Sequence, residues 1–121
     1  MMAHFDWLRL PNGVVAATED LILRYTPDWH GAGKSAPYPA WYLDLRQADF
    51  AAIESMSFDL DVPYSHEAWR GRIRASAGVG AVMKPDRVAR FDAEHAALLE
   101  RDFPDPLAIP HRCWAVWGTK S

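Results

Sequence analysis

Between Ser55 and Val62 apolar and polar residues alternate without a break, with Met56, Phe58, Leu60 and Val62 set against Ser55, Ser57, Asp59 and Asp61. A period of two predicts a strand with one apolar and one wet face, here at the edge of a sheet and ended by Pro63. Leu107 to Thr119 form a second extended segment, apolar on both faces from Cys113 to Trp117, which belongs inside a sheet. Pro110 leaves the start of that strand without a neighbour on the N–H side. A third strand, Ala3 to Leu8, reads as the tail of a longer one that would otherwise continue upstream.

Four helices separate these strands. Val14, Ala17, Leu21 and Tyr25 recur at helical spacing and Pro27 stops them, while Pro39 opens a short helix through Ala48 with Trp41 and Leu45 on one face. Ser65 is placed to cap a helix over His66 to Ser76, with Glu67 in its first turn where the helix dipole favours an anion. Pro85 opens the longest helix, to Arg101, whose stripe is Val88, Phe91, His95, Leu98 and Leu99. The Gly- and Pro-bearing stretch from Asp28 to Pro37 is a surface loop holding Trp29 and His30. The order is strand, helix, helix, strand, helix, helix, strand, in one domain spanning residues 1–121.

With 13 Lys and Arg against 16 Asp and Glu among 121 residues, the net charge is −3. No basic run stands out, which argues against a nucleic-acid or acidic-membrane surface. The absence of a long apolar run or a leader-like start predicts a cytoplasmic protein with no membrane span. Cys113 is the only cysteine, so an internal disulfide and a multi-cysteine metal site are excluded, and its apolar neighbours predict a buried, inert thiol. No spacing of histidines supports a metal site.

Three stretches, Phe5-Asp6-Trp7-Leu8, Val62 to Ser76 and Phe103 to Arg112, together resemble the C-terminal half of bacterial class I S-adenosylmethionine-dependent methyltransferases of the methyltransferase type 11 kind. The resemblance is specific in Tyr64 to Ser76 and generic elsewhere. It implies an α/β fold, α+β when this portion stands alone: part of a seven-stranded sheet, with three strands, the last antiparallel and central, and four helices. Ala3 to Leu8 would be the tail of the fifth strand, Met56 to Val62 the sixth and Cys113 to Trp117 the seventh, covered on both sides. It also implies S-adenosylmethionine as cofactor, yet the Gly-rich turn after a first strand and the ribose-binding acid that hold it have no counterpart here. Gly31-Ala32-Gly33 and Gly78-Val79-Gly80 each follow a helix and read as helix-ending turns. No residue is therefore assigned to the cofactor.

The expected function is the substrate-side part of such an enzyme, transferring a methyl group to a small-molecule acceptor only when a cofactor-binding half is supplied. His66, at the strand-to-helix junction, is the candidate base for a hydroxyl acceptor, with helix capping as the alternative. Tyr64 and Trp69 are candidate aromatic walls, and Trp29 a candidate cover. Arg70 and Arg74, four apart on one helix face, are a candidate clamp for a carboxylate or phosphate, with ion pairing to Asp59, Asp61 or Glu67 as the alternative. His95 and His111 read as core. Asp59 and Asp61 read as charges that block edge-to-edge association. The expected partners are a second copy of the chain or a cofactor-binding chain. The competing reading is a non-catalytic, self-associating α+β binding module or a decayed methyltransferase fragment.

Overall fold

A computed structural model describes residues 1–120. The strands are β1 (Met2–Trp7), β2 (Phe50–Tyr64) and β3 (Leu107–Lys120), and the helices α1 (Val14–Tyr25), α2 (Pro39–Gln47), α3 (His66–Arg74) and α4 (Pro85–Asp102). The fold is α+β, with four helices and one antiparallel sheet in the order β1-β3-β2. The central position of β3 is the one its two-sided apolar sequence predicts. Pairing runs from Met2 opposite Val116 to Trp7 opposite His111.

The described residues divide into two compact units. One comprises residues 1–8, 34–61 and 110–120, and so holds β1, α2 and most of β2 and β3. Its core is Ala36, Leu45, Trp114 and Val116, against which Met2, Tyr38, Trp41, Tyr42, Phe50 and Ile53 pack. The other comprises residues 9–33 and 62–109, in which α4 packs on both α1 and α3. Leu21, Ile22, Trp69, Ile73, Val79, Phe91 and Leu99 are completely buried there.

β2 is much longer than the Met56 to Val62 segment expected. Pro63 does not end it, because a strand at a sheet edge uses only one side of its backbone in the ladder and tolerates a residue without an N–H. Its first half escapes the period-two pattern through a bulge. Ala52 has φ +51°, and this extra residue turns both Phe50 and Ile53, three apart, onto the core. Opposite the bulge stands Gly118, where a Cβ would lie 3.1 Å from the Ala51 carbonyl oxygen. A side chain there would push the two strands apart.

The faces of this sheet correct two expectations. β2 turns its polar side toward the elements packed on the sheet: the Tyr42 hydroxyl on α2 donates to Ser55 Oγ at 2.5 Å, and Arg112 on β3 donates to Asp59. Asp59 is thus an ion-pair partner rather than a free charge guarding the edge. The apolar side faces outward, with Met56 53%, Phe58 51% and Leu60 41% exposed. Likewise β3 is covered on one face only from Cys113 to Trp117. Trp114 and Val116 are buried, whereas Cys113, Ala115 and Trp117, pointing the other way, are half-buried. Cys113 is consequently a partly exposed thiol on an open face, not a buried one. Alternation reveals that a strand has an apolar face; whether anything covers that face depends on elements elsewhere.

Candidate functional site

The stretch with the most specific family resemblance forms the β2–α3 junction. Ser65 caps α3, its Oγ accepting from the Ala68 N–H at 3.0 Å, and Glu67 occupies the first turn. The cap fixes where α3 starts and therefore where His66 stands. The His66 backbone N–H donates to Asp105 Oδ1 at 3.2 Å and its Nε2–H donates to the Pro104 carbonyl at 2.8 Å. A carbonyl only accepts, so Nε2 carries the hydrogen and Nδ1 is the atom of the neutral ring that can take a proton. His66, Arg70, Ala96, Glu100, Phe103 and Asp105 line one open cleft of about 400 Å³.

Arg70 and Arg74 do lie together, on a partner the sequence reading missed. Arg70 donates through Nε (3.0 Å) and Nη2 (2.6 Å) to the two oxygens of Asp92 on α4, and Arg74 Nη1 donates to Asp92 Oδ1 at 2.7 Å. The two guanidinium groups, like charges one helical turn apart, are held by one carboxylate between them. Hydrogen bonding from Arg70, and then from Arg74, holds the Asp92 carboxyl below the usual range against the opposing effect of burial. The expected partners Asp59, Asp61 and Glu67 do not make these bonds; Glu67 acts on Arg70 only through its charge. The pair is thus an internal clamp between α3 and α4, with a structural role for both arginines.

The aromatic candidates separate. Trp69 is fully buried, and its indole Nε1–H donates to Thr18 Oγ1 on α1 at 3.1 Å. The same hydroxyl lies 3.0 Å from His95 Nε2 on α4, so one threonine joins three helices. Trp69 is a core residue rather than the wall of an open site. Tyr64 meets Trp69 edge to face at 5.5 Å, and its hydroxyl accepts from Arg72 Nη1 at 2.9 Å. Arg72 also lies over both rings, about 5.7 Å from the Tyr64 centroid and 5.8 Å from that of Trp69. Trp29 is half-buried and packs on Gly78, whose Cβ, were there one, would meet the indole at 3.1 Å. Trp29 closes its own loop onto the turn after α3.

A second polar cluster went unread. On β1, Asp6 Oδ1 lies 2.5 Å from His4 Nδ1, while Asp6 Oδ2 accepts from the Ala36 N–H at 2.9 Å and the Tyr38 hydroxyl at 2.8 Å. Asp6 is buried and His4 is half-exposed. The His4 ring lies edge-on to Tyr38 at 5.3 Å and to Trp41 at 5.9 Å. Burial, and then the bond to Asp6, push the Tyr38 phenol up to about 12. The signal was present: residues two apart on a strand share a face, and a His and an Asp at that spacing can meet.

The glycines test whether the chain fits the cofactor implied by the resemblance. A Cβ at Gly78 would lie 2.8 Å from Ile22 Cγ2, one at Gly80 would strike the Arg74 carbonyl, and one at Gly31 would strike the Trp29 indole. The Gly33 N–H, which could otherwise face an anion, donates to Glu19 Oε1 at 3.1 Å. Both Gly-x-Gly turns approach the chain's own side chains and backbone, so they do not fit a cradle for S-adenosylmethionine. Among the described residues no group of three or more His, Cys, Asp or Glu could hold a metal ion, and no helix is long and apolar enough to cross a membrane. No family model matches the chain, and no curated protein matches it.

Proposed function

We propose that this chain is the substrate-side portion of a class I S-adenosylmethionine-dependent methyltransferase, working with a separate cofactor-binding portion on a small-molecule acceptor. The observation that carries this reading is the strand order β1-β3-β2, with the last strand antiparallel and central, which is the arrangement that the resemblance in Tyr64 to Ser76 implies for the end of such a sheet. β1 is the outer strand of the sheet, where a further strand would continue it. The part assigned to this chain is acceptor binding and proton removal. His66 faces the cleft with Nε2–H tied to Pro104, and Nδ1 would take the proton of a hydroxyl acceptor seated beside Phe103.

The test supplies the missing portion. The chain is co-expressed with cofactor-binding halves of methyltransferases of this kind, and each purified complex is assayed for transfer of labelled methyl groups to a panel of small hydroxylated acceptors. Transfer by a complex and by neither half alone is expected, with His66→Asn slowing it about 100-fold through loss of the base. Complexes that form and bind S-adenosylmethionine but transfer nothing, or transfer that is indifferent to His66→Asn, would overturn the assignment.

A further inference from the structure

The open face of the β1-β3-β2 sheet carries Ala3 and Phe5 from β1, Cys113 and Ala115 from β3, and Met56 and Phe58 from β2, around a groove of about 320 Å³. Phe5 is 44% exposed. Phe5 is backed by the buried His111 ring, stacked on it at 4.4 Å, so it is held in place at the surface. Asp59, between Phe58 and Leu60, points to the opposite face, where Arg112 holds it. The result is a strand whose polar side meets Tyr42 and Arg112 and whose apolar side is bare.

We infer that a second copy of this chain covers this face, sheet against sheet across a two-fold axis. The groove lining holds no Asp, Glu, Lys or Arg, with Glu54 beyond Met56 the exposed acid on the same side of β2, and a largely uncharged patch is complementary to itself when two copies meet about a two-fold axis. The area is of the right order. Aromatic side chains contribute roughly 150 to 250 Å² each and Met and Leu somewhat less, so Phe5, Met56, Phe58 and Leu60, about half exposed, leave roughly 350 Å² per copy. Adding Ala3, Cys113, Ala115 and Trp117 brings the total for two copies to about 1,000 Å², the lower bound of a specific interface. The expected dimer is therefore a dissociable one. This inference stands whether or not the chain belongs to a methyltransferase, because it rests on the face alone.

Light scattering over a dilution series, read beside the reactivity of Cys113, tests it. The mass should approach twice 13.7 kDa at high concentration and fall toward 13.7 kDa on dilution. Maleimide labelling of Cys113, which lies on the face, should slow about ten-fold over the same rise in concentration, as covered thiol becomes the major species. Phe58→Asp should hold the protein at the single-chain mass with an unchanged circular dichroism spectrum, and Ser57→Asp, on the opposite side of β2, should leave the mass series unaltered. A mass of 13.7 kDa at every concentration would overturn the inference. A doubled mass with a Cys113 labelling rate independent of concentration would overturn it too, since the copies would then meet elsewhere; this readout needs no variant to fold.

Discussion

Arg70 and Asp92 face each other across the α3–α4 contact in a two-pronged pair, Nε and Nη2 each on a separate carboxylate oxygen at 3.0 and 2.6 Å. Arg74 adds a third donor to the same carboxylate. This arrangement converts a candidate ligand clamp into a helix-to-helix fastening. Asp92→Asn should destabilise the fold by about 1 to 2 kcal/mol, reduced from the full value of a charged hydrogen bond because all three side chains are partly exposed. A double-mutant cycle with Arg70→Gln, read by denaturant unfolding, should return a coupling of at least about 0.5 kcal/mol. Additive effects would show that the two groups do not depend on each other.

The Thr18 hydroxyl accepts from the buried Trp69 indole and neighbours His95 Nε2. Thr18→Val keeps the shape and removes the oxygen to which the buried indole N–H donates, at a cost of roughly 1 to 3 kcal/mol. Chemical denaturation should register that loss. A stability equal to that of the parent would mean that the indole finds another acceptor.

His95 sets a pH dependence. Burial lowers its pKa from 6.5 to about 4, the charges of Arg70, Arg74 and His66 push the same way, and Asp92 opposes them. The folded state therefore binds fewer protons than the unfolded one between these values, so the stabilisation is complete above pH 6.5 and is lost as pH falls toward 4. Across that window the loss should reach about 3 kcal/mol. Asp92, whose pKa is also lowered, adds its own loss at more acid pH. In His95→Gln, which cannot titrate, unfolding curves should shift far less between pH 6.5 and 4. An unchanged slope would assign the effect to other groups.

Two helix ends offer stabilising substitutions. Asp49 follows α2 with φ +61°, a left-handed conformation that Gly adopts without strain, and Lys84 is the N-cap of α4 with no side-chain hydrogen bond. Asp49→Gly should stabilise by up to about 1 kcal/mol, and Lys84→Ser by about 0.5 to 1 kcal/mol. Thermal unfolding would show both as increases in Tm, and a decrease in either would contradict the cap assignment.

Local rules were legible where the determining atoms are close in sequence. The Ser65 cap and the central place of β3 both followed from neighbouring residues. Asp92 did not, because it lies on a different helix about 20 residues beyond the arginines and flanks the apolar stripe, with no pattern marking it as their partner. The bulge at Ala52 hid the first half of β2, since an extra residue breaks the period of two on which recognition of a strand depends. Trp69 was misplaced for a third reason: an aromatic beside polar residues at a helix start looks alike in sequence whether its N–H meets a ligand or a threonine from another helix.

The central claim is that this chain carries the acceptor side of a methyltransferase sheet without a cradle for the cofactor. Calorimetric titration of S-adenosylmethionine into the isolated chain tests it most directly. The account predicts no binding heat beyond dilution at millimolar ligand, because both Gly-x-Gly turns are closed by Ile22, Trp29, Arg74 and Glu19. A saturable isotherm of micromolar affinity would contradict it and would place a cofactor site among the residues assigned to packing.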